Sequence, residues 1–235
     1  MGISILTQKN HFLVNQSVFS LVERLKAIGL DIVVYRCSAT SSGRRVNKIE
    51  SIFQVIKIFG ILFLVRVAIK SIVSFMLYPD YRLKKLCKVI DVSDDQPFNQ
   101  TIFKENKENL DALLIVSGTK IIKAEILDLF CRKVINIHSS LLPYSKGLMP
   151  AYWTFYKKRG LGVTLFELDE GIDTGKIIYQ VPIKEPGGTY FDYLFQTKRV
   201  GIDLLMVWVL QKLTKCSKVI DIESTYNPHP KSKFK

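Results

Sequence analysis

Short runs of β-branched and aliphatic residues recur along the chain with helical patterns between them, and this alternation limits the fold more than any other feature. ISIL (residues 3–6), DIVVY (31–35), KVIDV (88–92), DALLIVS (111–117) and VINI (134–137) have the length and composition of strands. Between the first two, VNQSVFSLVERLKAIGL has apolar residues at helical spacing and a glycine near its end, which predicts a helix with a C-terminal stop. Helices are also predicted over 99–109 and 123–130. Such alternation predicts an α/β fold with a mostly parallel central sheet and helices on both faces. Beyond Trp153, two strands at 163–168 and 176–181 flank an acidic, glycine-punctuated loop, and a last helix covers about residues 190–213. No linker-like stretch interrupts residues 1–235, so one domain is expected.

The stretch SIFQVIKIFGILFLVRVAIKSIVSFMLY (51–78) has the apolar content of a membrane helix. A span needs roughly 18 or more apolar residues with few or no charges, and Lys57, Arg66 and Lys70 interrupt this one. It reads instead as a basic, hydrophobic helical insert over about 48–80, two helices broken near Gly60. On a 3.6-residue helix Arg66, Lys70, Ser71 and Ser74 gather on one side, so that flank is expected outward and the apolar side on the protein's own core. A peripheral membrane contact or a homodimer contact through residues 51–78 is the alternative.

Thirty-four Lys and Arg against 21 Asp and Glu give a formal charge of +13, which implies affinity for anions. The excess lies in pairs scattered along the chain and in the tail PKSKFK, a distribution that argues against nucleic acid. Cys37, Cys87, Cys131 and Cys216 stand far apart, without CxxC or a histidine at zinc-ligand spacing, so neither a metal site nor a disulfide framework is expected. Reduced thiols and the absence of a secretory pattern in MGISILTQKN predict a cytoplasmic protein.

NIHSSLLPYSKGLMPAYW (136–153) leaves the end of an apolar strand and becomes a polar, proline-bounded loop carrying one of the chain's three histidines. In open parallel sheets, ligands sit outside the carboxyl ends of the strands. Asn136 and His138 leave one such end while Asp169, Glu170 and Asp173 leave another, so the two clusters are predicted to face one cleft. A histidine moves protons near neutral pH, a carboxylate fixes its tautomer, and an asparagine donates to a developing oxyanion. Acyl transfer to an amine needs these three roles. Ser139 and Ser140 are present without GxSxG, which favours direct attack by the substrate over an acyl-enzyme. No GxGxxG follows a strand, which argues against a dinucleotide enzyme. On residue types alone, a hydrogen-bonded structural histidine is the open alternative.

The order Asn-x-His, Ser-Leu-Leu-Pro, a following Gly, Gly-Val-Thr and Asp-Glu-Gly-x-Asp-x-Gly resembles the signature of the 10-formyltetrahydrofolate-dependent formyltransferases, firmly over about residues 112–180. That family includes the glycinamide ribonucleotide, methionyl-tRNA and nucleotide-sugar formyltransferases. The resemblance implies a Rossmann-like formyltransferase fold, 10-formyltetrahydrofolate as formyl donor, and a triad of Asn136, His138 and Asp173. In such a triad His and Asn hold the formyl oxygen as it gains charge, and Asp pairs with His while protons move. It also implies a folate pocket on Ser117, Gly118, Thr119, Lys120, Ile121 and Ile122, with Leu142 as a wall. The loop around the triad Asp, at Leu168, Asp169, Glu170, Gly171, Ile172 and Thr174, would complete that pocket, with Gly171 and Gly175 as turn residues. Ser139 stands where many members have proline or alanine.

For the acceptor, the loop TQKNHF (7–12) lacks the glycine-rich phosphate cradle by which glycinamide ribonucleotide formyltransferases resemble one another, which disfavours that substrate. About 55 residues follow Gln180, short for a long helix plus the RNA-gripping barrel of methionyl-tRNA formyltransferases. The regulatory domain of the formyltetrahydrofolate hydrolases is likewise not expected. A nucleotide-linked amino sugar for surface polysaccharide is therefore expected as the acceptor, met by Lys9, Asn10 and His11 in the first loop and by Tyr152 and Trp153. A folate- or nucleotide-binding protein without turnover is the alternative from another class.

Overall fold

The computed structural model describes residues 2–9, 12–37, 53, 56–57, 60–92, 103, 113–117, 122–130, 133–147, 149–184 and 188–213. The chain divides into two compact units, Met1–Asn109 with Ser117–Lys120, and Leu110–Val116 with Ile121–Lys235. The helix predicted over 99–109 lies, apart from Phe103, outside the described residues.

The first unit contains β1 (Gly2–Gln8), α1 (Phe12–Ala27), β2 (Asp31–Cys37), α2 (Ile61–Leu77), α3 (Asp80–Leu86) and β3 (Lys88–Asp91). Its strands are parallel in the order β3-β2-β1, with Ile3 beside Ile32 and Val34 beside Val89. Every residue from Ile3 to Thr7 is at most 1% exposed. Successive side chains of a strand point to opposite faces, so both faces of β1 are covered. In α1 the buried Val18, Leu21, Val22 and Leu25 repeat at helical spacing. The helix stops where Gly29 takes φ 78° and the Leu30 N–H returns to the Leu25 carbonyl.

Helix α2 reverses the orientation expected of it. Ser74 is buried and Lys70 and Ser71 are half-buried, whereas Leu62, Val65, Ile69, Ile72 and Met76 are 48–74% exposed. Lys70, Ser71 and Ser74 of the expected outer flank therefore face inward together with Phe63, Leu64 and Val67, Arg66 remains exposed as expected, and much of the apolar surface faces out. The serines are short, and short side chains at a contact let two helices approach. At the far end of the contact Phe19 of α1 meets the Tyr78 ring at 5.6 Å, and Arg82 lies 5.1 Å over Phe19. The expected packing of the apolar side on the protein's own core is thus corrected for this helix.

Arg36, near the end of β2, is 3% exposed. Its Nε and Nη2 donate to Asp91 at 2.8 and 3.0 Å, and its Nη1 donates to Asp80 at 2.8 Å. The Lys9 ammonium reaches the same Asp91 at 3.3 Å. A buried cation left without partners is costly, so these carboxylates tie β3 and the start of α3 to β2. Burial alone would raise the Asp91 pKa, but Arg36 and then Lys9 outweigh it and hold the carboxyl below its usual range.

The second unit contains β4 (Leu113–Ser117), α4 (Ala124–Leu129), β5 (Val134–His138), α5 (Pro150–Lys157), β6 (Gly162–Glu167), β7 (Ile177–Pro182) and α6 (Tyr190–Leu213). Its strand order is β4-β5-β6-β7, with β4 and β5 parallel and both later pairs antiparallel. Helix α6 comes close to β5 at Gly201, where a Cβ would run into the Ile137 side chain.

Replacing Asp91 with Ala removes two hydrogen bonds from a buried guanidinium and should lower the unfolding free energy near neutral pH by about 2 kcal/mol. Because the Asp91 pKa is depressed, its contribution is present above 3.8, the ordinary value, and is lost as the pH falls below it. Chemical denaturation of both proteins at neutral and acid pH checks the size of the gap and its closure.

Candidate functional site

Strand alternation places Asn136 and His138 on one side of β5 and Ile137, the residue against α6, on the other. His138 is 4% exposed, with the Phe166 ring edge-on at 6.2 Å. Its Nε2 lies 2.6 Å from the Ser145 carbonyl oxygen and its Nδ1 lies 3.5 Å from Asp173 Oδ2. Both ring nitrogens thus face oxygen acceptors. A neutral imidazole carries one N–H, so with Nε2–H donating to Ser145 the Nδ1 lone pair faces the Asp173 carboxylate, the acceptor that a protonated ring would meet. This is the arrangement of a proton carrier.

The path by which Asp173 arrives differs from the one expected. Strand β6 is antiparallel to β5, so its end, Glu167, pairs with Ile135 near the start of β5, and the Leu168 N–H bonds the Val134 carbonyl at 2.8 Å. The two polar clusters do not leave strand ends on one edge of the sheet. The 168–175 loop instead travels back along β5 for three residues, about 10 Å, to bring Asp173 to His138. Asp169 closes the turn by accepting from the Gly171 N–H at 3.1 Å and the Thr174 hydroxyl at 2.7 Å. Asp173 takes φ 50°, a left-handed conformation that aspartate tolerates better than most residues. At Gly175 a Cβ would overlap the Glu167 carbonyl oxygen. Asp173 Oδ2 accepts the Gly147 N–H at 2.7 Å, which fastens the loop to the segment after His138.

That segment is held from the opposite side. Thr164, paired in register with His138, is fully buried. Its hydroxyl donates to the Ser140 carbonyl at 2.7 Å and accepts from the Leu142 N–H at 3.0 Å and from Gln180 Nε2 at 3.1 Å, which uses its whole capacity. Gln180 Nε2 also reaches the Leu142 carbonyl at 2.8 Å, and the Ser140 hydroxyl donates to the Ser145 carbonyl at 3.3 Å. The peptide between Leu142 and Pro143 is cis. Together these bonds fix the carbonyl that meets His138.

Burial pushes the His138 pKa below its ordinary value, the Asp173 charge and the Ser145 carbonyl oppose that shift, and Lys198 on α6 adds to it. Burial likewise lowers the pKa of Lys198 itself. Among the described residues the half-buried Asn136 carboxamide has no hydrogen-bond partner.

Of the expected pocket residues, Ile122 and Leu142 are each 6% exposed, Ile172 is 58% exposed and Glu170 is exposed. Ser117 ends β4, while Gly118, Thr119, Lys120 and Ile121 lie outside the described residues. Of the expected acceptor contacts, Lys9 is engaged with Asp91 in the first unit, and Asn10 and His11 are outside the described residues. Tyr152 sits in an aromatic cluster with Trp153, Tyr156 and Tyr190 at 5.2–6.1 Å, which packs α5 against α6. Trp153 is 44% exposed, with Lys157 5.5 Å over its ring. The sequence reading missed Ser145 and Gly147, which act through backbone atoms and carry no residue signature. It also missed Thr164, Gln180 and Lys198, which lie on neighbouring elements.

The formyl transferase family model matches residues 82–186, a span that includes Asn136, His138 and Asp173. The methionyl-tRNA formyltransferase of Agathobacter rectalis is 37% identical over 93 residues, 37% of this chain and 30% of that protein. The methionyl-tRNA formyltransferase of Lachnospira eligens is 35% identical over 127 residues, 50% of this chain and 39% of that protein. The chain therefore spans well under half the length of these curated relatives. Phosphoribosylglycinamide formyltransferase from Bacillus halodurans superposes with a TM-score of 0.59 at 17% identity, covering 94% of this chain and 98% of that one. The fold is the Rossmann-like fold of these proteins.

The depressed His138 pKa means that the folded protein binds this proton less readily than the unfolded chain. Its stability is therefore full above 6.5, the ordinary value, and falls as the pH drops through it. Thermal unfolding between pH 7.5 and 5 should show that fall, and His138→Gln should flatten it. Gly175→Ala should displace the Asp173 loop and abolish the His138–Asp173 contact, which a crystal structure of the variant would reveal.

Proposed function

We propose that this protein transfers a formyl group from 10-formyltetrahydrofolate to a primary amine. The observation that carries the reading is the buried His138 imidazole 3.5 Å from the Asp173 carboxylate, on the same strand side as the Asn136 amide, inside the segment that matches the formyl transferase family. The neutral amine attacks the formyl carbon, a C–N bond forms, and the formyl oxygen gains charge that the Asn136 amide stabilises by donation and a protonated His138 ring stabilises by its positive charge. The bond from that carbon to the folate nitrogen then breaks. The proton released by the amine passes by way of His138 and Asp173 to the folate nitrogen, so atoms and charge balance. The buried apolar Leu142 and Ile122 and the backbone of the 168–174 turn suit the flat, polar-edged pterin of the donor.

For the acceptor we favour an amino sugar carried on a nucleotide. The glycine-free loop TQKNHF speaks against glycinamide ribonucleotide, the charge of +13 suits an anionic carrier, and Trp153 offers an exposed ring. Methionyl-tRNA is the second reading, because the curated relatives named above carry that activity.

Incubation with 10-formyltetrahydrofolate and a panel of nucleotide-linked amino sugars, glycinamide ribonucleotide and methionyl-tRNA, followed by mass spectrometry, tests both levels. One amino sugar should gain one formyl group; formylation of glycinamide ribonucleotide or methionyl-tRNA alone would overturn the substrate assignment. His138→Ala and Asp173→Asn should each lower kcat by about 10²–10⁴-fold, and undiminished transfer would overturn the mechanism. Lys198→Met should move the acid limb of the pH–rate profile to higher pH, because it removes a charge that lowers the His138 pKa, while Lys198→Arg should leave the limb near its original place.

A further inference from the structure

Helix α2 turns outward what an amphipathic helix ordinarily buries. Its inward side carries Lys70, Ser71 and Ser74 beside Phe63, Leu64 and Val67, and its outward side is apolar except for Arg66, from Leu62 at 73% exposure to Met76 at 74%. Contiguous exposed apolar surface of this kind marks an interaction site. The charge along this stretch is almost all of one sign. From Lys57 to Lys88 the described residues include seven Lys or Arg and one carboxylate, Asp80, which is already held by Arg36. Arg66 on α2, and Lys84 and Lys85 on α3, are exposed.

We propose that this surface docks the protein onto an anionic lipid bilayer, with Leu62, Val65, Ile69, Ile72 and Met76 entering the headgroup boundary and Arg66, Lys84 and Lys85 meeting phosphates. The charge decides between lipid and a second copy of the chain. A twofold pair sets a patch against itself, so cations would face cations around the apolar contact, whereas anionic headgroups neutralise them. Length decides between lying on the bilayer and crossing it. The 17 residues of α2 rise about 25 Å, less than the hydrocarbon thickness of about 30 Å. Among the described residues no single helix is long and apolar enough to cross a membrane; α2 and α3 together have the length and composition, but they are bent by 45° and α3 exposes Lys84 and Lys85. The helix therefore lies in the interface plane.

Flotation with vesicles of phosphatidylcholine alone, and of phosphatidylcholine with phosphatidylglycerol, tests the proposal. The protein should float with the anionic vesicles only, and added salt should weaken the association. The triple variant Leu62→Ser, Ile69→Ser, Met76→Ser should lose binding at least about tenfold, and Arg66→Glu with Lys84→Glu should lose it to a similar degree. All these residues are exposed, so the circular dichroism spectra and melting points of the variants should match the native protein. Equal flotation of the native and triple-serine proteins would overturn the proposal. So would a native protein that ignores both vesicles and sediments as a dimer which the triple-serine substitution dissociates.

Discussion

One carboxylate oxygen organises the site. Asp173 Oδ2 accepts the Gly147 N–H at 2.7 Å and faces His138 Nδ1 at 3.5 Å. It thereby joins three stretches distant in sequence: the end of β5, the segment that follows it, and the 168–175 loop. A buried imidazole with an oxygen at each nitrogen favours a second proton, while burial and the Lys198 charge disfavour it. Burial is the larger influence, so the ring holds its second proton less readily than a free imidazole.

The rest of the second unit serves that meeting. An antiparallel β6 delivers its loop to the wrong end of β5, and the return journey is stabilised by the Asp169 turn, the left-handed Asp173 and the absence of a Cβ at Gly175. The same antiparallel pairing gives the site its brace, because it sets Thr164 beside His138, where its hydroxyl holds Ser140 and Leu142. A parallel β6 would have offered a shorter route for Asp173 but a different neighbour for His138.

Much of this was legible in the residues, for stated reasons. Strand runs buried on both faces, such as Ile3–Thr7, are uninterruptedly apolar or small, and the helical spacing of Val18, Val22 and Leu25 is visible in α1. Asn136 and His138 announce themselves as polar residues at the end of an apolar run, and Asp173 by the glycine-flanked acidic loop that carries it. Strand direction was not legible: period-two patterning is the same in parallel and antiparallel pairs, so the route of Asp173 had to come from the structure. Ser145 and Gly147 contribute only main-chain atoms. The orientation of α2 was misread because sidedness in a helix reveals that two faces differ, not which of them meets the protein.

The two units divide the work in this account. The second holds the site proposed for formyl transfer; the first holds the Arg36 network and the exposed apolar surface proposed to meet lipid. Nitrogen-15 NMR titration of the His138 ring in the native protein and in Asp173→Asn measures the electrostatic interaction of His138 with Asp173 directly. The native His138 pKa should lie below the ordinary 6.5 and fall further when the Asp173 charge is removed. An unchanged or higher value in the variant would contradict that interaction.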